Sequence, residues 1–242
     1  MADRSGLKPR KGNYGIDAPS LLPFAGLLIA GNIALGLVTR SVGPLIGAAA
    51  ILVFLGFGIY TSRRGKFLVW SNLLDGLALR GDEKILDIGC GRGAVLLMAA
   101  QRLSTGIATG VDLWKREDQS GNAIDATERN AVAEGVANRV DLRTADMMQL
   151  PFPADAFDLV VSNVAIHNVK AREGREKAID EAVRVLRPGG RLVIADLFAT
   201  GMYVDRLTSL GLADVKRRNL GWRMWWGGPW MPTHLVTATK PG

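Results

Sequence analysis

Two hydrophobic patterns divide the chain. From Ala18 to Thr39, and again from Ser41 to Ser62, no residue is charged and most are aliphatic, aromatic or glycine. Each run is long enough to cross about 30 Å of hydrocarbon as a helix. Only Arg40 separates them, and Pro44 suits the first turn of the second helix. The pattern therefore predicts an antiparallel helical hairpin whose backbone hydrogen bonds are internal. After Lys66 the pattern changes. Residues 66–80 are apolar at helical spacing. Strand-like runs at 84–88, 107–112, 139–144, 157–162 and 191–196 then alternate with helical stretches near 93–102, 122–135, 173–186 and 201–210. Such alternation predicts an α/β domain with a mostly parallel sheet covered on both faces. Two more strands, near 213–219 and 233–239, have no helix between them and predict an antiparallel hairpin at one edge.

Charge gives the hairpin an orientation. Arg4, Lys8, Arg10 and Lys11 precede it with only Asp3 and Asp17 opposing, and Arg63, Arg64 and Lys66 follow it, against Arg40 alone at the tip. Positive charge on one side places both termini and the domain after the hairpin in the cytoplasm, with the hairpin in the cytoplasmic membrane. The chain accordingly divides into a flexible basic tail (1–17), a membrane hairpin (18–62) and a soluble domain (63–242) expected to fold without the hairpin. A cleaved signal peptide fits poorly, because a second apolar run follows the first directly. A hairpin lying in the interface, or folded over the domain as a lid, stays open, since Pro23, Asn32 and several glycines weaken both runs. Gly43-x-x-x-Gly47 and Gly26-x-x-x-Ala30-x-x-x-Ala34 would let helices approach closely, within the hairpin or in a homodimer.

Composition narrows the chemistry only a little. The mean hydropathy of +0.14 reflects apolar residues concentrated before residue 61. A net charge of +7 fits anionic lipid or nucleic acid equally. Cys90 is the only cysteine, which forbids an intrachain disulfide, and with only His167 and His234 beside it no Cys/His metal site is expected.

The chemistry-bearing signal is Ile85-Leu86-Asp87-Ile88-Gly89-Cys90-Gly91-Arg92-Gly93, an apolar strand ending in an acid and a glycine-rich turn that opens a helix. Glycines let a ligand approach the backbone. Gly89-x-Gly91-x-x-Ala94 also satisfies the dinucleotide-binding template, but Asp87 would repel a pyrophosphate, whereas it can receive an amino group. Asp112 ends the second strand, where an acid can accept both hydroxyls of a ribose. The plain alternative is an acid that caps the turn. His167, after the fourth strand, stands where an acceptor would sit and could take a proton near neutral pH; lining the pocket is its alternative role. The polar stretch Trp114–Thr127 either helps build a pocket or starts a helix in solvent. The run Trp222–Trp230, with Lys216, Arg217 and Arg218 upstream, suits a lipid interface, a substrate face or a cover for its own strands.

On these residues, and on Ala145-Asp146-Met147-Met148-Gln149-Leu150-Pro151-Phe152, Phe157-Asp158-Leu159-Val160-Val161-Ser162-Asn163 and Arg184-Val185-Leu186-Arg187-Pro188-Gly189-Gly190-Arg191-Leu192, the chain from about residue 66 to 240 resembles the class I S-adenosylmethionine-dependent methyltransferases. It is closest in kind to the branch containing the ubiquinone/menaquinone and small-molecule enzymes. The resemblance implies a Rossmann-like methyltransferase fold with S-adenosyl-L-methionine as cofactor. Asp87, Gly89, Cys90, Gly91, Gly93 and Asp112 would hold it, Asp146 would meet the adenine amino group, Met147 and Leu113 would flank the ring, and Asn163 would lie beside the methionine end. The hairpin then favours a lipophilic small-molecule or lipid acceptor drawn from the membrane, with His167 as candidate base. An RNA or protein substrate is disfavoured: Ser162-Asn163-Val164-Ala165 lacks the Pro-Pro-aromatic motif of enzymes that methylate planar nitrogens, and no nucleic-acid-binding module is appended. A nicotinamide-dependent reductase and a membrane scaffold with a vestigial site are the remaining alternatives.

Overall fold

In the computed structural model, which describes residues 10–242, the strand-like runs become β1 (Lys84–Ile88), β2 (Ile107–Asp112), β3 (Val140–Thr144), β4 (Phe157–Asn163), β5 (Leu186–Asp196), β6 (Ala213–Asn219) and β7 (His234–Thr239). They form one sheet in the order β3-β2-β1-β4-β5-β7-β6. β1 to β5 are parallel. β7 runs antiparallel between β5 and β6, because with no helix after β6 the chain can only turn back. Alternate residues feed two cores. Ile85, Leu159, Val161 and Val193 face one side of the sheet, where α3 (Lys66–Gly76) and α4 (Ala94–Ala100) cover them. Leu86, Ile88, Val160, Leu192 and Ile194 face the other, packed with α6 (Arg172–Val185) and α7 (Thr200–Ser209). α5 (Ile124–Ala133) completes the first face beside β3. Strand order reverses between β1 and β4, which leaves a crevice at their carboxyl ends, the usual ligand position in such sheets.

The two uncharged runs form α1 (Leu21–Thr39) and α2 (Val42–Tyr60), joined at Arg40 in a left-handed conformation. They pack through Gly36 against Leu45 and Gly47 against Asn32, whereas Gly26 faces open space. Their outer side chains lie bare: Leu27, Leu37 and Val38 are 74%, 70% and 83% exposed. Asn32 and Thr39 donate to the carbonyls of Leu28 and Leu35, so these polar groups are satisfied within their own helix.

Two features of the junction with the domain were not apparent from the sequence. First, the helix does not end at residue 62. α2 continues through one π-helical turn, Thr61–Gly65, into α3, and the loop after β6 clasps this turn. Thr61 donates to the Trp225 carbonyl, and the Arg223 carbonyl lies so close to Gly65 that a side chain there would collide with it. Trp222 stacks on Tyr60 at 5.2 Å and Trp225 meets Phe57 at 5.8 Å. The tryptophan run thus largely grips a helix, while Trp230 remains 69% exposed.

Second, residues 10–17 are not a free tail; Arg4 and Lys8 lie outside the described residues. Tyr14 packs edge-on against Phe67 and donates to Glu134, Asn13 N–H donates to Asn130, and Ile16 N–H donates to Ser120. Charge alone concealed this, because the groups that hold the segment are dispersed through the chain. Asp17 ends the strap: its carboxylate accepts from Lys66 Nζ and Ser62 Oγ, both at 2.7 Å, and Lys66 is 2% exposed.

Replacing Asp17 leaves that ammonium buried without its partner. Asp17→Ala is expected to destabilise the domain by about 2–3 kcal/mol, the range for losing a hydrogen bond to a buried charge. Urea unfolding of the two proteins checks it, and an unchanged midpoint would show that Lys66 reaches water freely.

Candidate active site

The crevice is built by the glycine turn. After β1 the chain turns at Gly89, whose φ is +73° and where any side chain would run into the Ala165 methyl. The amides of Gly89 and Cys90 donate to the Val111 carbonyl at 2.8 and 3.1 Å, which fixes the turn to the end of β2. Asp112, the last residue of β2, accepts from Gly91 N–H at 2.8 Å, and from Trp114 N–H and Asn122 Nδ2 through its other oxygen. The turn-capping role of this acid is therefore realised, and the same carboxylate lines the crevice. Asp146 receives Met148 N–H at 2.9 Å, which locks its side chain at the rim.

Asp87 differs from both. It is 1% exposed, and its Oδ1 has no hydrogen-bond partner. Burial, with the nearby Asp112 charge adding to it, pushes its carboxyl up to about 8.

These groups enclose a cavity of about 320 Å³. Asp87, Gly89, Cys90, Gly91, Asp112 and Leu113 line one part, and Asp146, Met147 and Asn163 line another. Gly93 does not line it; with φ at +83° it begins α4. The Cys90 thiol is buried, unpaired and pushed up by burial, which suits packing rather than nucleophilic work. Asn163 is oriented from outside the crevice, since its Oδ1 accepts from Trp70 Nε1 at 2.7 Å.

His167 lies apart, in a second chamber of about 210 Å³ that shares Asp17, Asp118, Asn163, Val164 and Asn168 with the first. Its far wall consists of hairpin residues, among them Leu21, Leu22, Phe54 and Leu55. His234 borders neither chamber. Among the described residues no cluster of His, Cys, Asp and Glu could hold a metal.

Several site residues were not singled out from sequence. Gln119 and Asn122 come from the polar stretch after Trp114, whose composition left a pocket wall and a helix start in solvent equally open. Gln119 accepts from Arg92 N–H at 2.8 Å and donates to Asp17 at 2.9 Å, so the connection folds inward over the glycine turn. Asp17, Lys66 and Trp70 gave no local signal, because distant segments bring them together.

Residues 86–194 match the family model described as a methyltransferase domain. Methyltransferase GfsG of Streptomyces halstedii is 33% identical over 138 residues, which are 57% of this chain and 46% of that protein. The ubiquinone/menaquinone biosynthesis C-methyltransferase UbiE of Roseobacter denitrificans is 35% identical over 133 residues, 54% of this chain and 50% of that one. The chain thus spans about half the length of these curated relatives. Among solved structures, geranyl diphosphate C-methyltransferase from Streptomyces coelicolor, crystallised with S-adenosyl-L-homocysteine, superposes with a TM-score of 0.55 at 18% identity, covering 71% of this chain and 76% of that one. The fold is the Rossmann-like methyltransferase fold expected from the sequence.

The Asp87 carboxyl gives a pH dependence of definite sign. With its folded value raised to about 8 from 3.8, the folded chain holds a proton that the unfolded chain has already lost. Stability from this group is complete below about pH 4 and is lost as pH rises toward about 8. The difference in unfolding free energy between Asp87→Asn and the native chain should therefore move in the variant's favour by several kcal/mol between pH 5 and pH 8, a window set by that raised value. Urea titrations at the two pH values measure it, and a parallel pH response would mean that Asp87 is solvated.

Proposed function

We propose that the chain is an S-adenosylmethionine-dependent methyltransferase that acts on a lipophilic small molecule or lipid reached from a membrane. The observation that carries this reading is the buried Asp87 carboxyl with one oxygen unpartnered, which shares one cavity with Asp112 and Asp146 and lies beside a chamber walled by the apolar hairpin.

The residues fit the cofactor. A buried carboxylate oxygen without a donor is costly, and an amino group entering the cavity removes that cost at Asp87. Asp112 keeps one lone pair for a ribose hydroxyl while its bonds to Gly91 and Trp114 hold it still, and a second hydroxyl would take the place of its longer, 3.3 Å contact with Asn122. Asp146 can take the adenine amino group between Met147 and Leu113, both of which line the cavity. When bound, the cofactor supplies an electrophilic methyl on a sulfonium whose leaving group is a neutral thioether. The chain's own task is to align the acceptor, an entropic contribution of up to about 7–11 kcal/mol, and to keep water out. The name of UbiE, a ubiquinone/menaquinone biosynthesis C-methyltransferase, supports a quinone-like lipophile as acceptor.

The exposed apolar faces of α1 and α2 support a membrane hairpin, with Arg63 and Arg64 at its base on the cytoplasmic side. A buried core helix would not leave Leu27, Leu37 and Val38 bare.

Two outcomes test the reading. S-adenosylhomocysteine should raise the melting temperature of the purified protein whereas NAD(H) should not, and Asp112→Ala should weaken S-adenosylhomocysteine binding roughly 10- to 150-fold by calorimetry, the equivalent of about 1.5–3 kcal/mol. Equal affinities would reject the ribose assignment. For the hairpin, the protein should stay with membranes through high-salt and carbonate washing; release by salt would mean that only surface charge holds it.

A further inference from the structure

We propose that the second chamber is the acceptor site, that it takes an amphiphile bearing a hydroxyl, and that His167 removes the hydroxyl proton through Nε2 while buried Asp196 positions the imidazole. The proposal deepens the methyltransferase reading and rests on it.

Asp196 ends β5 and is wholly buried. Its carboxylate accepts from the His167 backbone N–H at 3.0 Å, from Leu197 N–H at 2.8 Å and from the Tyr203 hydroxyl at 3.0 Å. The fourth contact is His167 Nδ1 at 2.5 Å. With three other donors on its oxygens, the Asp196 carboxyl serves as an acceptor, and accepting from His167 as well puts the hydrogen on Nδ1 and leaves Nε2 with the lone pair. Because Asp196 holds both the backbone and the ring of His167, the imidazole is fixed where it borders the chamber, with the Phe198 ring edge-on at 5.9 Å. No described residue bonds Nε2.

The chamber's composition specifies the ligand. Leu21, Leu22, Phe54, Leu55, Ile59 and Trp226 give it an apolar wall. Asn163, Asn168 and His167 make the polar wall, and Asn163 and Asn168 also border the cofactor cavity. An acceptor with an apolar body against the hairpin would thus present its polar group toward the neighbouring cavity. Asp17, Glu117 and Asp118 also border the chamber.

In the step, the acceptor O–H proton moves to Nε2 and the acceptor oxygen uses its lone pair to bond the methyl carbon. The carbon–sulfur bond breaks with its electron pair staying on sulfur, so the sulfonium charge disappears as the imidazolium forms. The imidazolium then returns its proton to water.

The test uses the full chain in nanodiscs with S-adenosylhomocysteine bound, titrated with an alkyl nitrophenol whose phenolate absorbs in the visible, at a pH below the probe's own pKa. Binding, followed by tryptophan quenching, is expected to bring up the phenolate band. His167→Gln should keep quenching and lose the band, Asp196→Asn should weaken the band, and Leu55→Trp should abolish probe binding while S-adenosylhomocysteine binding is retained. Probe binding without the band in the native chain, a band unchanged in His167→Gln, or binding indifferent to Leu55→Trp would overturn the proposal. Failure of S-adenosylhomocysteine to bind the native chain would instead defeat the underlying methyltransferase reading, and the thermal shift reports that separately.

Discussion

The arrangement depends on one buried charge pair, Asp17 with Lys66. A single carboxylate joins three segments far apart in sequence: the N-terminal strap that carries it, the long helix through Ser62 and Lys66, and the connection after β2 through Gln119. Gln119 in turn holds Arg92 in the glycine turn. Taking an ammonium out of water costs several kcal/mol, which is repaid only by good geometry and further hydrogen bonds. The hydroxyl of Ser62 and the amide of Gln119 supply those bonds. Since Asp17 also borders both chambers, the pair that fastens the hairpin to the domain also shapes the space between cofactor cavity and proposed acceptor chamber. The π-helical turn belongs to this joint: it comprises the residues directly before Lys66, and its glycine lets the Arg223 carbonyl lie against the helix.

The carboxylates at the strand ends are not equivalent, and the difference follows from their donors. Asp112, Asp146 and Asp196 each receive backbone amides, which hold their side chains in place. Asp87 is as buried as Asp196, yet one of its oxygens receives nothing. A protein keeps such a group at a cost in stability, and sites of this kind are where ligands are met. The parallel sheet makes the grouping possible, because all its strands point their carboxyl ends to one side.

Much of the fold was legible because parallel strands covered on both faces are short apolar runs, and helices between them keep their period. The runs at 84–88 and 107–112 coincide with β1 and β2, and the antiparallel closing strand followed from the missing helix after β6. The cavity at the strand ends was legible from its glycine turn and strand-end acids, since both lie close to strand ends. What stayed hidden depends on segments remote in sequence. Ser62 and Arg63 look like the end of a hydrophobic segment, yet the helix continues because the Trp222–Trp226 loop packs around it. Asp17 and Tyr14 look like parts of a basic tail, yet each has its own buried partner in the domain. Asp196 carried no motif, and only the fold brings it to His167.

The same joint explains how a polar reaction site and a bare apolar hairpin can share one chain. Leu21 and Leu22 begin α1 directly after the strap, and Phe54 and Leu55 lie within two helical turns of Thr61, so fastening the hairpin at Asp17 and Thr61 sets its inner end against the crevice mouth. Towards Arg40 the helices find no partner among the described residues, and their outer side chains are left bare. An apolar molecule in contact with those faces can keep apolar surroundings as it moves toward His167, at about 25 cal/mol for each Å² kept from water. A soluble enzyme would have to recover that energy by enclosing its acceptor completely. In the proposed site the second chamber would have only to enclose the reacting end, which is consistent with its volume of about 210 Å³ and with a wall supplied by the hairpin itself.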